Sequence, residues 1–188
     1  MSVDARAALF VMLGQTAERT VAAIDTVAPS EPLLLSSSYD LAALIPDEVK
    51  QAMRAAEAYK LFFIFEGYLR DFVVEVLSAG QGSSWWDKVP KDVQDEVTKL
   101  EETEEAKSWM ALGSRDKSAL LTYPQLLRII EHAWKDGFSD LVRDKALVQE
   151  ARLIGHLRNT VCHMTPIPDE ETERVKQTMR DWFRIVAP

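Results

Sequence analysis

Leu61-Phe62-Phe63-Ile64-Phe65 is apolar nearly all the way round a helix, and the segment that contains it decides the fold. No proline interrupts the chain from about Asp47 to Leu77, so one long helix is predicted there. A helix that is apolar on every side belongs at the buried centre of a bundle. Glu66 and Arg70 lie four residues apart in this helix, the spacing of an intrahelical ion pair.

Toward the C-terminus, residues 79–90 read as a loop, with Gly80, Gly82 and the pair Trp85-Trp86. The two tryptophans are expected to anchor the loop by packing rather than to stack bases. A helix from Lys91 to Met110 follows, with Val89, Val93, Val97 and Leu100 as its buried stripe. The glutamates at 101, 102, 104 and 105 mark a solvated face. After a second loop over 112–122, a helix from Tyr123 to Lys135 stops at Gly137, with His132 as an ordinary member. Ser139 or Asp140 is positioned to cap a short element. The next helix runs from Asp144 to Val161, and Pro166 and Pro168 interrupt the chain beyond it. Asp169, Glu170 and Glu171 open a last helix at its positive end, and it ends near Val186.

Toward the N-terminus, residues 28–46 carry Pro29, Pro32, Pro46 and Ser36-Ser37-Ser38, and read as a linker. Phe10, Leu13, Ala17 and Ile24 recur at helical spacing over residues 4–27. The expected fold class is therefore all-α: an N-terminal helix and linker over 1–45, then a helical bundle over 46–188, with no strand.

The composition fits this reading. In 188 residues, 47% are hydrophobic and 28% charged, as in ordinary globular proteins. The net charge of −8 argues against a broad basic face for non-specific nucleic-acid binding. Cys162 is the one cysteine, which excludes an internal disulfide or a cysteine metal cluster and suggests a reducing, cytoplasmic setting. It reads as a small buried hydrophobe. No apolar run approaches the roughly 20 residues of a membrane span. Asp4 ahead of the short apolar stretch Ala7–Leu13 argues against a signal peptide. No cofactor and no membrane partner are expected.

The segment that carries chemistry is Arg158-Asn159-Thr160-Val161-Cys162-His163. Leu147, Ala151, Ile154 and Val161 form one apolar stripe of the penultimate helix at about 100° per residue, and Arg158 interrupts it. A guanidinium on a packing face needs either a carboxylate, for which Glu66 is the candidate, or an anion site. Arg158 and His163 point about 140° apart on a continuous helix, and they converge if the helix ends between them. Arg152, His156, Arg158 and His163 follow one another with no acid between, a local basic patch. An arginine fork with a titratable imidazole is the minimum kit for cleaving RNA without metal.

The spacing from Arg158 to His163, the polar Asn159 after the arginine and the position before a proline-broken loop together resemble the HEPN superfamily, whose signature is R-x-x-x-x-H. The aromatic helix Tyr59 to Leu77, the Trp85-Trp86 loop, Leu121-Thr122-Tyr123-Pro124-Gln125-Leu126 and Leu157 to Pro168 are similar to the branch found fused to RNA-surveillance endonucleases and in prokaryotic proteins. The similarity covers about residues 46–186. It implies a HEPN-like bundle with an extra N-terminal helix, and a metal-independent endoribonuclease, in the role of a toxin or defence effector. In such enzymes two copies face each other across a two-fold axis and build one composite site. The resemblance makes Arg158 the phosphate-binding residue, His163 the proton-transfer group and Asn159 the residue that positions one of them; Glu66, Arg152 and His156 are candidates for support. The implied partners are RNA, a second copy of the chain, and an antitoxin or other protein. Toxins regulated by a nucleotidyltransferase usually carry tyrosine two residues after the histidine; Thr165 stands there instead. The alternatives are a non-catalytic HEPN module that binds RNA or a protein partner, and a purely structural dimerisation domain.

Overall fold

Pro46–Ser78 forms one helix of 33 residues, α1, in the computed structural model, which describes residues 6–7, 10–17, 19–20, 32–79, 84–105 and 116–186. Pro46 opens it, where a missing N–H is harmless, and Asp47 and Glu48 sit at its positive end. Lys88 Nζ donates to the Leu77 carbonyl at 2.6 Å and so caps its other end. Phe62, Phe65, Leu69, Phe72, Val73, Val76 and Leu77 are buried, at the three- and four-residue spacing of one helix face. The expectation that α1 is buried all round is corrected: Phe63 is 69% and Ile64 56% exposed. Five consecutive apolar residues cover every direction of a helix, and only one side of this one finds partners.

The other long helices are α2 (Lys91–Glu105), α3 (Tyr123–His132), α4 (Lys145–Cys162) and α5 (Asp169–Val186). Chain contacts divide the protein into residues 1–51 and 52–188. Within the second unit, α3 packs on α4 and α4 on α5. The centre is aromatic. Phe65, fully buried, has the rings of Tyr123, Trp182 and Phe183 at centroid distances of 6.1, 5.6 and 6.1 Å. Trp85 and Trp86 pack partly buried against this core in a 3-10 turn, Trp85–Lys88, which agrees with the packing role. Val89, Val93 and Val97 are buried as expected, but Leu100 is not. Arg128 on α3 clamps α2 by donating to Asp92 and Glu96 at 2.8 and 2.6 Å. Arg128 first, and then Gln125, hold the Glu96 carboxyl below its ordinary range.

Several boundaries differ from expectation. The stretch read as a linker, and as free of strands, contains an antiparallel pair, β1 (Leu34–Ser36) and β2 (Tyr39–Asp40), followed by a helical turn, Leu41–Leu44. The prolines that suggested a linker stand outside this ribbon, and Ser37-Ser38 makes its turn. Asp40 secures it by accepting from the Leu33 and Ala42 amides, both at 2.9 Å. The described parts of 4–27 are helical, with Phe10 and Leu13 exposed; the remainder, and residues 106–115 beyond α2, lie outside the described residues. Neither Ser139 nor Asp140 caps the short helix Ser139–Val142, whose N-cap position is Phe138 with no side-chain bond. Among the described residues no helix is long and apolar enough to cross a membrane.

Helix α3 ends at His132, earlier than expected, and passes into a π turn, Trp134–Phe138. Gly137 holds φ at +122° there, and a Cβ at this position would meet Val76 Cγ1 at 3.1 Å. Gly137→Ala is expected to destabilise the fold by about 1–3 kcal/mol, through backbone strain and crowding together; a urea titration would read it.

Candidate functional site

Arg158 stands where the apolar stripe of α4 predicted an anomaly. Leu147, Ala151, Ile154 and Val161 are buried around it. Its side chain is 24% exposed and meets Glu66 of α1, which is 15% exposed. Arg158 donates from Nε and Nη2 to the same oxygen, Glu66 Oε2, at 3.2 and 3.1 Å. The other oxygen, Oε1, accepts from Arg70 Nη2 at 3.3 Å, and that same nitrogen reaches the Leu121 carbonyl at 3.2 Å. One carboxylate thus bridges two guanidinium groups. Arg158 Nη1 donates to none of the described residues, so the outer edge of its fork stays open.

Two features of α4 hold Arg158 in place. Asp144 caps the start of the helix, accepting from the Ala146 amide at 2.8 Å. Tyr123, fully buried, donates its hydroxyl to the Ala151 carbonyl at 2.6 Å. Burial, and then the charge of Glu66, push the Tyr123 phenol up, so it remains a donor. Its ring packs beside Gly155, one turn before Arg158, 3.4 Å from where a Cβ on the glycine would stand, an ordinary van der Waals contact.

The helix does not end between Arg158 and His163. It runs through Cys162, and His163 is its C-cap, its amide reaching the Asn159 and Thr160 carbonyls. Met164 follows at φ +60°, and the amides of Met164 and Thr165 close back on the carbonyls of Val161 and Thr160 at 3.0 and 3.2 Å. This is a Schellman cap with methionine in the place usually taken by glycine. Convergence of Arg158 and His163 within one chain is therefore corrected: Arg158 turns toward Glu66, and His163 stands exposed at the helix end. Asn159 is exposed too.

The basic patch read along α4 is also corrected, since partners on other helices offset it. Arg152 pairs with Glu131 of α3, and Arg158 with Glu66. His156 faces solvent. Cys162 is exposed, not buried.

Arg158 opens on a recess of about 260 Å³ between α1 and α4. Tyr59, Phe62, Phe63, Glu66, Gly67 and Arg70 line it from α1, and Arg158, Val161 and Cys162 from α4. The sequence reading did not single out Tyr59 and Phe63 as site residues. Their signal was the series 59, 63, 66, 70, which places two aromatics on the same helix face as Glu66 and Arg70. Among the described residues no three His, Cys, Asp or Glu side chains gather as a metal site. Glu66→Ala is expected to cost about 2 kcal/mol of stability, because it strands two part-buried cations. Glu66→Gln, which keeps an acceptor, should cost less, as thermal unfolding of the two variants would show.

Neither the curated proteins nor the solved structures contain a significant match to the chain. The Swt1-like HEPN family matches residues 60–187, which includes the central helix from Lys60 onward, the recess apart from Tyr59, and the whole segment from Arg158 to His163. That match spans more than half of the sequence, and the chain belongs to the Swt1-like HEPN family, a membership that points to a nuclease or RNA-related role.

Proposed function

We propose that the protein is a metal-independent endoribonuclease whose site is completed by a second copy of the chain. The observation that carries this reading is Arg158: a guanidinium held on one edge by Glu66, open on the other, and followed at the end of its helix by an exposed histidine. The open edge suits two non-bridging oxygens of one phosphate. The RNA 2′-hydroxyl attacks the adjacent phosphorus; the 2′-oxygen–phosphorus bond forms as the bond to the 5′-oxygen breaks. The 2′-hydroxyl gives up its proton, the leaving 5′-oxygen gains one, and the products are a cyclic phosphate and a 5′-hydroxyl. His163 serves in this proton transfer, Arg158 stabilises the charge that builds on the phosphate, and Asn159 positions the imidazole.

Because the helix continues past Arg158, the arginine and the histidine of one chain face different ways. A two-fold axis near the end of α4 sets His163 of one copy beside Arg158 of the other, and symmetric pairs are the commonest assembly. Incubating the purified protein with total RNA in EDTA tests the chemistry, with products bearing cyclic phosphate as the expected result. Light scattering should give the mass of a dimer at tens of micromolar. Intact RNA across several substrates would leave the non-catalytic binding module as the reading. If expression of the wild type arrests growth and expression of His163→Ala does not, a toxin or defence role gains support.

A further inference from the structure

The recess has a charge that the described residues leave uncancelled. Arg70 and Arg158 bring two positive charges to its floor and Glu66 one negative, and among the described residues no second carboxylate lies within ion-pairing distance of either arginine. A part-buried excess cation is costly unless an anion completes it. Two aromatic rings that the core does not use line the same recess. Tyr59 is 51% and Phe63 69% exposed, with centroids 6.1 Å apart and planes inclined by 33°. Both exposed rings line the recess together with the two arginines, and Cys162 lines it from α4.

We propose that this recess is a subsite for single-stranded RNA, where Tyr59 and Phe63 stack an unpaired base while Arg70 and the open edge of Arg158 take the phosphate attached to it. The identification of the ligand as RNA rests on the endoribonuclease reading. The volume, about 260 Å³, lies just under the 300–1,000 Å³ of sites for drug-sized ligands, and so suits one base and its phosphate, not a longer segment. An exposed aromatic offers its face to any base, whereas in a duplex that face is already stacked on its neighbours. The subsite therefore selects for unpaired strands without selecting a sequence. It also gives Arg70 a part beyond its ion pair with Glu66: with Arg158 it fixes where the phosphate under attack lies.

The test uses the full chain and a fluorescein-labelled, 2′-O-methylated single strand about ten nucleotides long, within the span such grooves cover, which binds but offers no 2′-hydroxyl for attack. Phe63→Ala should weaken binding about tenfold, the effect of losing one stacked base, and Phe63→Trp should restore it. The bound strand should also slow labelling of Cys162 by a maleimide. Circular dichroism and the light-scattering mass should not change in either variant. Wild-type affinity in Phe63→Ala would overturn the proposal. So would a fall in mass that accompanies the loss of affinity, because the rings would then be a contact between copies. A wild type that binds the strand through Phe63 and leaves unmodified RNA uncut would preserve the subsite and remove the ribonuclease reading. Cleavage together with an unaffected Phe63→Ala would do the reverse.

Discussion

His163→Ala lowers the rate of RNA cleavage in EDTA about a hundredfold or more, the usual effect of removing one proton-transfer group. Arg158→Ala does the same, by removing the charge that meets the developing phosphate dianion. Neither variant should lose the fold. His163 is an exposed C-cap whose bonds are made by its backbone amide, so its alanine variant should melt with the wild type. Arg158→Ala leaves Glu66 with Arg70 alone, which keeps the carboxylate paired. Arg158→Lys should recover only part of the rate: an ammonium is a point charge and cannot hold Glu66 on one edge and a phosphate on the other. Labelled RNA resolved on a gel, with melting curves of the same samples, measures both effects. Single variants that cleave like the wild type would end the assignment of these residues.

Phe65→Ala destabilises the fold by about 3–5 kcal/mol, the range for truncating a fully buried aromatic, while Phe63→Ala, two residues away, changes stability by no more than about 0.5 kcal/mol. Phe65 fills the space between α1, α3 and α5, where it meets Tyr123, Trp182 and Phe183. Among the described residues Phe63 makes one ring contact, with Tyr59, and it is 69% exposed. Urea titrations of the two variants give the comparison directly. Equal losses would mean that the outer face of α1 is packed as tightly as the inner one.

That contrast shows where the sequence was legible. Helix spacing located α1, α4 and α5 to within a residue or two, because caps and prolines punctuate them: Asp144 before α4, Pro166 and Pro168 after it, acidic residues at the start of α5. It also detected that Arg158 was out of place on its stripe and offered Glu66 as the candidate carboxylate, with an anion site as the alternative; the carboxylate is found in place. The exposed side of α1 was not legible. Leu61 to Phe65 are apolar in every direction, and hydropathy alone does not say which direction the other helices occupy. The patch on α4 was misread for a related reason. Charge counted along one helix omits Glu131 and Glu66, which reach it from α3 and α1. The end of α4 fell one residue later than expected because Met164 accepts a left-handed backbone that few sequence rules assign to methionine.

The bond between Arg158 and Glu66 also bears on affinity. A free arginine side chain carries about 2 kcal/mol of rotamer entropy, which a ligand must overcome when it immobilises the group. In this fold the two hydrogen bonds from Nε and Nη2 already confine the guanidinium plane, so that freedom is given up when the chain folds rather than when an anion arrives. The arginine presents its open edge in one orientation from the outset. A phosphate that docks there meets a receptor already set in direction, and the selectivity of the encounter lies in the angle of approach as much as in charge.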